Sequence, residues 1–129
     1  MESFAHRSQI LIVDDEVELA RAAKEFLFTR GYDVKVALKG SNALRLLKVH
    51  SFDLLLLDIN IPDVSGLHII RAIKQMEDDA RKVIVVSGNT SEGIIDRCEK
   101  EGVFKYLFKP VDPLQMLDEV RRALGMPSP

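Results

Sequence analysis

Tryptophan is absent from the 129-residue sequence, and cysteine occurs once, as Cys98. A single cysteine excludes an internal disulfide and is typical of a protein from a reducing compartment. No apolar run approaches the roughly 20 residues that a membrane-spanning helix needs. Residues 1–9 are largely polar and lack the apolar stretch of a signal peptide. We therefore expect a soluble, cytoplasmic protein with no membrane partner.

The sequence also lacks a strong excess of charge of either sign. Eighteen basic residues stand against twenty acidic ones, which gives a net charge of −2. Without an overall basic field, direct binding to nucleic acid is not expected. The seven glycines are dispersed and match no dinucleotide-binding or nucleotide phosphate-binding loop. The three histidines, His6, His50 and His68, show no spacing typical of a metal site.

Five short apolar runs are present, each of the length of a β-strand. They are residues 10–13, 34–37, 54–57, 83–86 and 106–108. The first, third and fourth runs are continuously apolar, which is typical of central strands covered on both faces. The second run is interrupted by Lys35 and the fifth is short, so both are predicted to be edge strands.

Segments with helical periodicity follow each of these runs. The apolar faces of the first and last segments are formed by Leu19, Ala23, Phe26 and Leu27, and by Leu114, Leu117, Val120 and Leu124. The last segment opens with Asp112-Pro113, an N-cap followed by a first-turn proline. Five consecutive β–α units predict an α/β fold, an open doubly wound (βα)5 parallel sheet with strand order 2-1-3-4-5, in a single three-layer domain.

Polar side chains follow four of the predicted strands, at the edge of the sheet where such folds bind ligands. Asp14 and Asp15 follow the first strand, and Asp58 follows the third. Ser87 follows the fourth strand and Lys109 the fifth. Each has an ordinary explanation when taken singly: Asp15 could cap the first helix, Ser87 could bond its own loop, and Lys109 could be a solvated charge.

Taken together, these residues predict a phosphoryl-transfer site. Three aspartates and one lysine bring formal charges of −3 and +1 to one edge of the sheet, a cluster that a divalent cation would neutralise. Carboxylate and carbonyl oxygens without a nearby histidine or cysteine suit a hard ion such as Mg²⁺, which accepts phosphate oxygens as further ligands.

With these residues in this order, the sequence resembles the receiver (CheY-like) domains of bacterial two-component response regulators. The resemblance spans residues 8–125, so residues 1–7 are an N-terminal extension and residues 126–129 a tail or the start of a linker. It depends on these segments, in this order: Asp14-Asp15; Leu57-Asp58-Ile59-Asn60-Ile61-Pro62 with Gly66; Val86-Ser87-Gly88; and Tyr106-Leu107-Phe108-Lys109-Pro110.

The resemblance implies a role for each site residue. Asp58 would accept a phosphoryl group from the phosphohistidine of a sensor histidine kinase or a phosphotransfer protein. Asp14 and Asp15 would hold Mg²⁺ together with Asp58 and the backbone carbonyl of Asn60.

Other residues would bind the phosphoryl group or respond to it. Ser87 and Lys109 would bind phosphoryl oxygens, and the Lys109–Pro110 peptide bond would be cis. Movement of Ser87 would let Tyr106 rotate inward, which makes the surface of the fourth helix, fifth strand and fifth helix the switching face.

Loop-shaping residues complete the predicted site. Pro62 and Gly66 would shape the loop after the third strand, and Ser65 would cap the third helix. The signal would pass to a downstream target protein or output domain, and the domain would be a monomer or a weak dimer through the switching face.

Two other functions are considered. Phosphohydrolases of the haloacid-dehalogenase type also form an aspartyl phosphate, but they need a second aspartate two residues after the nucleophile, where this chain has Asn60. An interaction module independent of phosphorylation is disfavoured because every expected site residue is present. We therefore expect a self-phosphorylating and self-dephosphorylating switch rather than an enzyme that turns over an external substrate.

Overall fold

The computed structural model describes residues 7–76 and 82–125 of the chain. Five parallel strands form one sheet in the order β2-β1-β3-β4-β5, as predicted. The strands are β1 (Gln9–Val13), β2 (Asp33–Ala37), β3 (Leu54–Leu57), β4 (Val83–Ser87) and β5 (Lys105–Phe108). The helices are α1 (Val17–Thr29), α2 (Gly40–Val49), α3 (Gly66–Gln75), α4 (Glu92–Glu101) and α5 (Pro113–Ala123). His6 and the predicted tail lie outside the described residues.

The central strands are buried on both faces, as their continuous apolar sequence predicts. Side chains on one face of the sheet, such as Leu55, pack under α2, α3 and α4. Side chains on the other face, such as Leu54, pack under α1 and α5. Because β1, β3, β4 and β5 are parallel, their carboxyl ends lie at one edge of the sheet.

Two leucines assigned to the core from helical periodicity lie at the surface instead. Leu19 is 48% exposed and Leu114 is 62% exposed. Both belong to the first turn of a helix, α1 and α5 respectively. In the same turns Ala20 and Met116 are buried, so each first turn presents its leucine to solvent and a neighbouring residue to the core. Periodicity identifies the inward face of a helix only approximately at its ends.

Local capping follows the sequence closely. Ser65 Oγ accepts a hydrogen bond from Leu67 N at 3.2 Å and begins α3. Asp112 Oδ1 accepts one from Leu114 N at 2.8 Å and begins α5, with Pro113 in the first turn. Helix α4 ends at Gly102, whose φ of 91° is readily adopted by glycine.

Among residues 7–76 and 82–125, no helix combines the length and apolar character needed to cross a membrane.

Candidate functional site

The Lys109 ammonium lies at the centre of a group of carboxylates at the carboxyl edge of the sheet. Its Nζ atom is 2.8 Å from Asp14 Oδ2 and 2.9 Å from Asp58 Oδ2. A third carboxylate oxygen, Glu16 Oε1, is 3.2 Å away. The fold thus brings together residues that follow β1, β3 and β5. Asp14 and Lys109 are 95 positions apart in the sequence (109 − 14).

Burial makes these charges strongly dependent on one another. Asp14 and Asp58 are only 7% and 6% exposed. Burial raises the pKa of Asp14 above its ordinary value, and the hydrogen bond from Lys109 offsets that rise only in part. Burial alone would lower the pKa of Lys109, but its hydrogen bonds to Asp14 and Asp58 outweigh it and raise that pKa. The ammonium therefore remains charged at neutral pH.

The carboxylates form what we call the acid cluster: Asp14, Glu16 and Asp58. One oxygen from each residue lies within 4.8 Å of the others. A set of oxygen donors with this spacing suits a hard divalent cation such as Mg²⁺, and the ammonium that lies among them shows that the site accommodates positive charge.

The sequence analysis did not name Glu16, which joins Asp14 and Asp58 in the acid cluster. Asp15 is exposed and lies outside the acid cluster, although it lines the same cavity. Nor does Asp15 cap α1, because Glu16 occupies the N-cap position and its backbone N–H donates to Asp14 Oδ1 at 2.9 Å. The sequence does contain a feature that indicates Glu16, because this residue directly follows Asp14 and Asp15 in one acidic run.

Both carboxylate oxygens of Asp58 have a fixed partner. Oδ1 accepts a hydrogen bond from Asn60 N at 2.9 Å, and Oδ2 accepts one from Lys109 Nζ. The Asn60 side chain is exposed, and its Oδ1 accepts a hydrogen bond from Asn89 Nδ2 at 3.3 Å. This bond joins the loops that follow β3 and β4.

Asn89 also connects Ser87 to Tyr106. The fully buried Ser87 hydroxyl accepts a hydrogen bond from Asn89 N at 3.2 Å, and the Tyr106 hydroxyl donates one to Asn89 O at 2.7 Å. Tyr106 is half-buried and packs against the core under α4, so its ring already faces inward. Burial raises the pKa of Tyr106, which keeps the phenol protonated as a donor.

Close packing fixes the loop between β3 and α3, which contains Pro62. A Cβ added to Gly66 would lie 2.7 Å from the Ile59 Cα, so only glycine fits there without displacement. Asp63, which the sequence reasoning did not single out, accepts hydrogen bonds from Gly40 N at 2.7 Å and Ser41 N at 3.0 Å. These bonds lower the pKa of Asp63 to about 2, so the tie to α2 persists at all ordinary pH values.

Lys109 and Pro110 are joined by a cis peptide bond, as the resemblance implies. The Lys109 side chain is 12% exposed, so it is not the solvated charge that its sequence position alone would allow.

A cavity of about 780 Å³ opens beside the acid cluster, between α1 and α5. We call it the α1–α5 cavity. The acid cluster and Lys109 line one part of it, and apolar side chains from β1, β3 and β4 line another: Ile12, Leu56 and Val86.

The remaining candidates are ordinary structural residues. His50 and His68 are exposed. Cys98 is fully buried, and burial raises the pKa of its thiol to about 11, so a reactive thiolate is disfavoured.

Comparison with known proteins identifies the family. Residues 10–121 match the response regulator receiver domain family. The chain is 32% identical over 117 residues to the response regulator ArlR of Staphylococcus aureus. This alignment covers 91% of this chain and 52% of ArlR. It is 28% identical over 122 residues to the CAI-1 autoinducer sensor kinase/phosphatase CqsS of Vibrio cholerae. This alignment covers 93% of this chain and 18% of CqsS.

The fold has equally clear relatives among solved structures. The crystal structure of a CheY-like response regulator receiver domain protein from Methanospirillum hungatei superimposes with a TM-score of 0.87 at 30% identity, covering 93% of this chain and 95% of that one. Because the chain spans between 18% and 56% of the first curated relatives, it corresponds to one part of those longer proteins. The chain belongs to the response regulator receiver domain family.

Proposed function

We propose that Asp58 accepts a phosphoryl group and that the protein acts as a switch in two-component signal transduction. Receiver domains are signalling switches that interact with histidine kinases or phosphotransfer proteins and with output domains. The observation that carries the proposal is the arrangement at Asp58, a buried carboxylate with Lys109 Nζ 2.9 Å from one of its oxygens. A carboxylate held beside a fixed cation can attack phosphorus while the growing negative charge is stabilised.

The proposed reaction is an in-line displacement. A bond forms between a carboxylate oxygen of Asp58 and phosphorus, and the phosphorus–nitrogen bond of the donor phosphohistidine breaks. The electron pair of that bond returns to the donor imidazole. The Asn60 N–H, which donates to Asp58 Oδ1, holds the carboxylate in orientation, so little reorganisation is needed.

Lys109 and Ser87 would bind the equatorial oxygens of the phosphoryl group. Lys109 already lies at Asp58, while the Ser87 hydroxyl currently accepts from Asn89 N and can rotate to donate. Asp14, Asp15, Asp58 and the backbone carbonyl of Asn60 would hold Mg²⁺, with Glu16 as a further carboxylate near it. When bound, Mg²⁺ would neutralise charge on the transferred oxygens.

The response would begin at Ser87 and pass through Asn89 to Tyr106. Because the Tyr106 hydroxyl donates to Asn89 O, a shift of the loop after β4 changes the position of that ring. The surface of α4, β5 and α5 would then present the changed face to a downstream target or output domain, or to a second copy in a weak dimer. The domain would lose its own phosphoryl group by hydrolysis without turning over an external substrate.

A phosphohydrolase of the haloacid-dehalogenase type gains no support. The position two residues after Asp58 is Asn60, whose amide can hydrogen-bond a water but cannot take its proton as a base.

Phosphorylation by acetyl phosphate tests the proposal directly. Intact mass should show one added phosphoryl group in the presence of Mg²⁺ and none in EDTA. Asp58→Asn should abolish the added mass, whereas the matched control Asp96→Asn, an exposed aspartate of α4, should leave it unchanged. Labelling of Asp58→Asn, or normal labelling in EDTA, would refute the assignment.

A further inference from the structure

The α1–α5 cavity is larger than phosphoryl transfer requires. Its volume of about 780 Å³ is within the range of roughly 300–1,000 Å³ found for small-molecule sites. A metal ion and a phosphoryl group would occupy only the end near the acid cluster. The remainder is lined by apolar side chains that take no part in that chemistry and keep part of their surface exposed, such as Val86 and Val111.

Small side chains on α1 help to open the cavity. Ala20, Ala22 and Ala23 line it, and Phe26 lines it one turn further along the same helix. Leu19, 48% exposed, lies at its rim. Apolar surface in such a cavity contacts water unless a ligand covers it, and covering it is favourable.

The charge at the acidic end selects the ligand. Five of the lining residues are charged, namely Asp14, Asp15, Glu16, Asp58 and Lys109. Four carboxylates and one ammonium give a formal charge of −3. Lys109 pairs with Asp14, Glu16 and Asp58 but not with Asp15. The single ammonium therefore does not balance the four carboxylates, and a cationic head group would complement the excess negative charge in the absence of Mg²⁺.

We propose that the α1–α5 cavity binds a small amphiphilic cation, an apolar body that carries a protonated amine or guanidinium group. The body would cover the half-buried side chains of Phe26, Val86 and Val111. The head group would donate hydrogen bonds to the carboxylates of Asp15 and Glu16, both of which are exposed to solvent. Such a ligand would compete with Mg²⁺ and so oppose phosphorylation. Binding itself does not depend on the proposed chemistry of Asp58.

Three matched probes test the charge and the apolar requirement. Phenylbutylamine, phenylbutanol and phenylbutyrate share one apolar body and differ in the head group. In a titration followed by NMR chemical shifts, the amine should shift signals of both Val86 and Val111, which line the apolar part of the cavity. The alcohol should bind more weakly by roughly tenfold, which corresponds to about 1.4 kcal/mol, and the carboxylate should not bind. Added Mg²⁺ should weaken binding of the amine.

Two leucine substitutions on α1 separate the cavity from the helix surface. Ala23→Leu fills the cavity and should weaken binding of phenylbutylamine by roughly tenfold or more. Lys24→Leu adds the same side chain at the next position, which does not line the cavity, and should leave the affinity unchanged. Both variants should bind Mg²⁺ like the unaltered protein, since neither residue lies in the acid cluster.

Equal binding of the three probes, or amine binding that survives Ala23→Leu, would overturn the proposal. Amine shifts confined to the acid cluster would show simple cation binding without the cavity, and would overturn it too. If no probe binds but the cavity signals move as the protein concentration rises, the cavity serves self-association and the small-molecule assignment is wrong. The acetyl phosphate assay reports separately on Asp58, so failure of either proposal is distinguishable.

Discussion

Removal of the Lys109 ammonium probes the energetics of the acid cluster most directly. In Lys109→Met, Asp14 and Asp58 lose a cation that lies 2.8 and 2.9 Å from them. Breaking a buried ion pair costs about 3–5 kcal/mol because a buried charge is left uncompensated. The pair with the half-exposed Glu16 adds less than about 1 kcal/mol. We expect the free energy of unfolding at neutral pH without Mg²⁺ to fall by about 3 kcal/mol.

Urea denaturation followed by far-ultraviolet circular dichroism measures this loss, since the chain has no tryptophan to report by fluorescence. With a slope of about 1–3 kcal/mol per molar urea, the midpoint should fall by about 1–3 M. The matched control is Lys100→Met, which removes a pair with Asp96 of 3.0 Å whose side chains are 76% and 58% exposed. That control should change stability by less than about 0.5 kcal/mol.

The pH dependence of this loss follows from the pKa shifts. The pKa of Asp14 is raised by burial above 3.8, so the stability from this group is greatest below 3.8 and is lost as pH rises through the raised pKa. The pKa of Lys109 is raised above 10.5, so its contribution is fully present below 10.5 and is lost only at higher pH.

Substitution of Lys109 removes its stabilising contribution and enlarges the unfavourable one from Asp14. The difference between variant and unaltered protein should therefore narrow as pH falls from neutral towards about 4, where carboxylates begin to take up protons. It should also narrow in Mg²⁺, which replaces the lost positive charge. A loss no larger than that of Lys100→Met, or one that neither acid nor Mg²⁺ reduces, would refute this account.

Three further predictions concern the metal, the lifetime of the phosphoryl group and the switch. Millimolar Mg²⁺ should raise the melting temperature at neutral pH, and less so at acid pH, because its ligands must be ionised. A melting temperature that does not change with Mg²⁺ but rises strongly in Asp15→Asn would show that the carboxylates only repel one another and bind no metal. Asn60→Arg should slow loss of the phosphoryl group, measured by intact mass over time, by covering the approach of water and pairing with phosphoryl oxygens; unchanged or faster loss would contradict this. Beryllofluoride, an acyl phosphate mimic, should shift NMR signals from Ser87 through Tyr106 and over α4; shifts confined to the pocket, or mainly in residues 41–50, would exclude the switch.

The fold was predictable because each strand is encoded in a short contiguous run. The predicted strands agree with the observed ones to within one residue at each end, and the interrupted run around Lys35 is indeed at the edge of the sheet. The convergence of Asp14, Asp58 and Lys109 followed from the topology, since parallel strands end at the same edge.

Features set by the packing of elements against one another could not be read from the sequence. The place of Glu16 depends on the direction in which α1 leaves the sheet, which no local pattern encodes. The tie from Asp63 to Gly40 joins residues 23 positions apart and requires two loops to meet. Leu19 is 48% exposed and lines the α1–α5 cavity while the adjacent Ala20 is buried, so helical periodicity alone misassigns it.

If the protein acts as proposed, Asn89 would couple the lifetime of the phosphoryl group to its readout. Its side chain donates a hydrogen bond to the Asn60 side chain, and its backbone carbonyl accepts one from the Tyr106 hydroxyl. In the proposed mechanism, the hydrolysing water would approach past Asn60 and the position of the Tyr106 ring would carry the output. Any substitution or loop movement that retunes one bond displaces the atoms of the other, because both belong to one residue. A partner protein that binds the Tyr106 ring would thereby alter how long Asp58 stays phosphorylated. The partner that reads the signal would then help to set the lifetime of that signal.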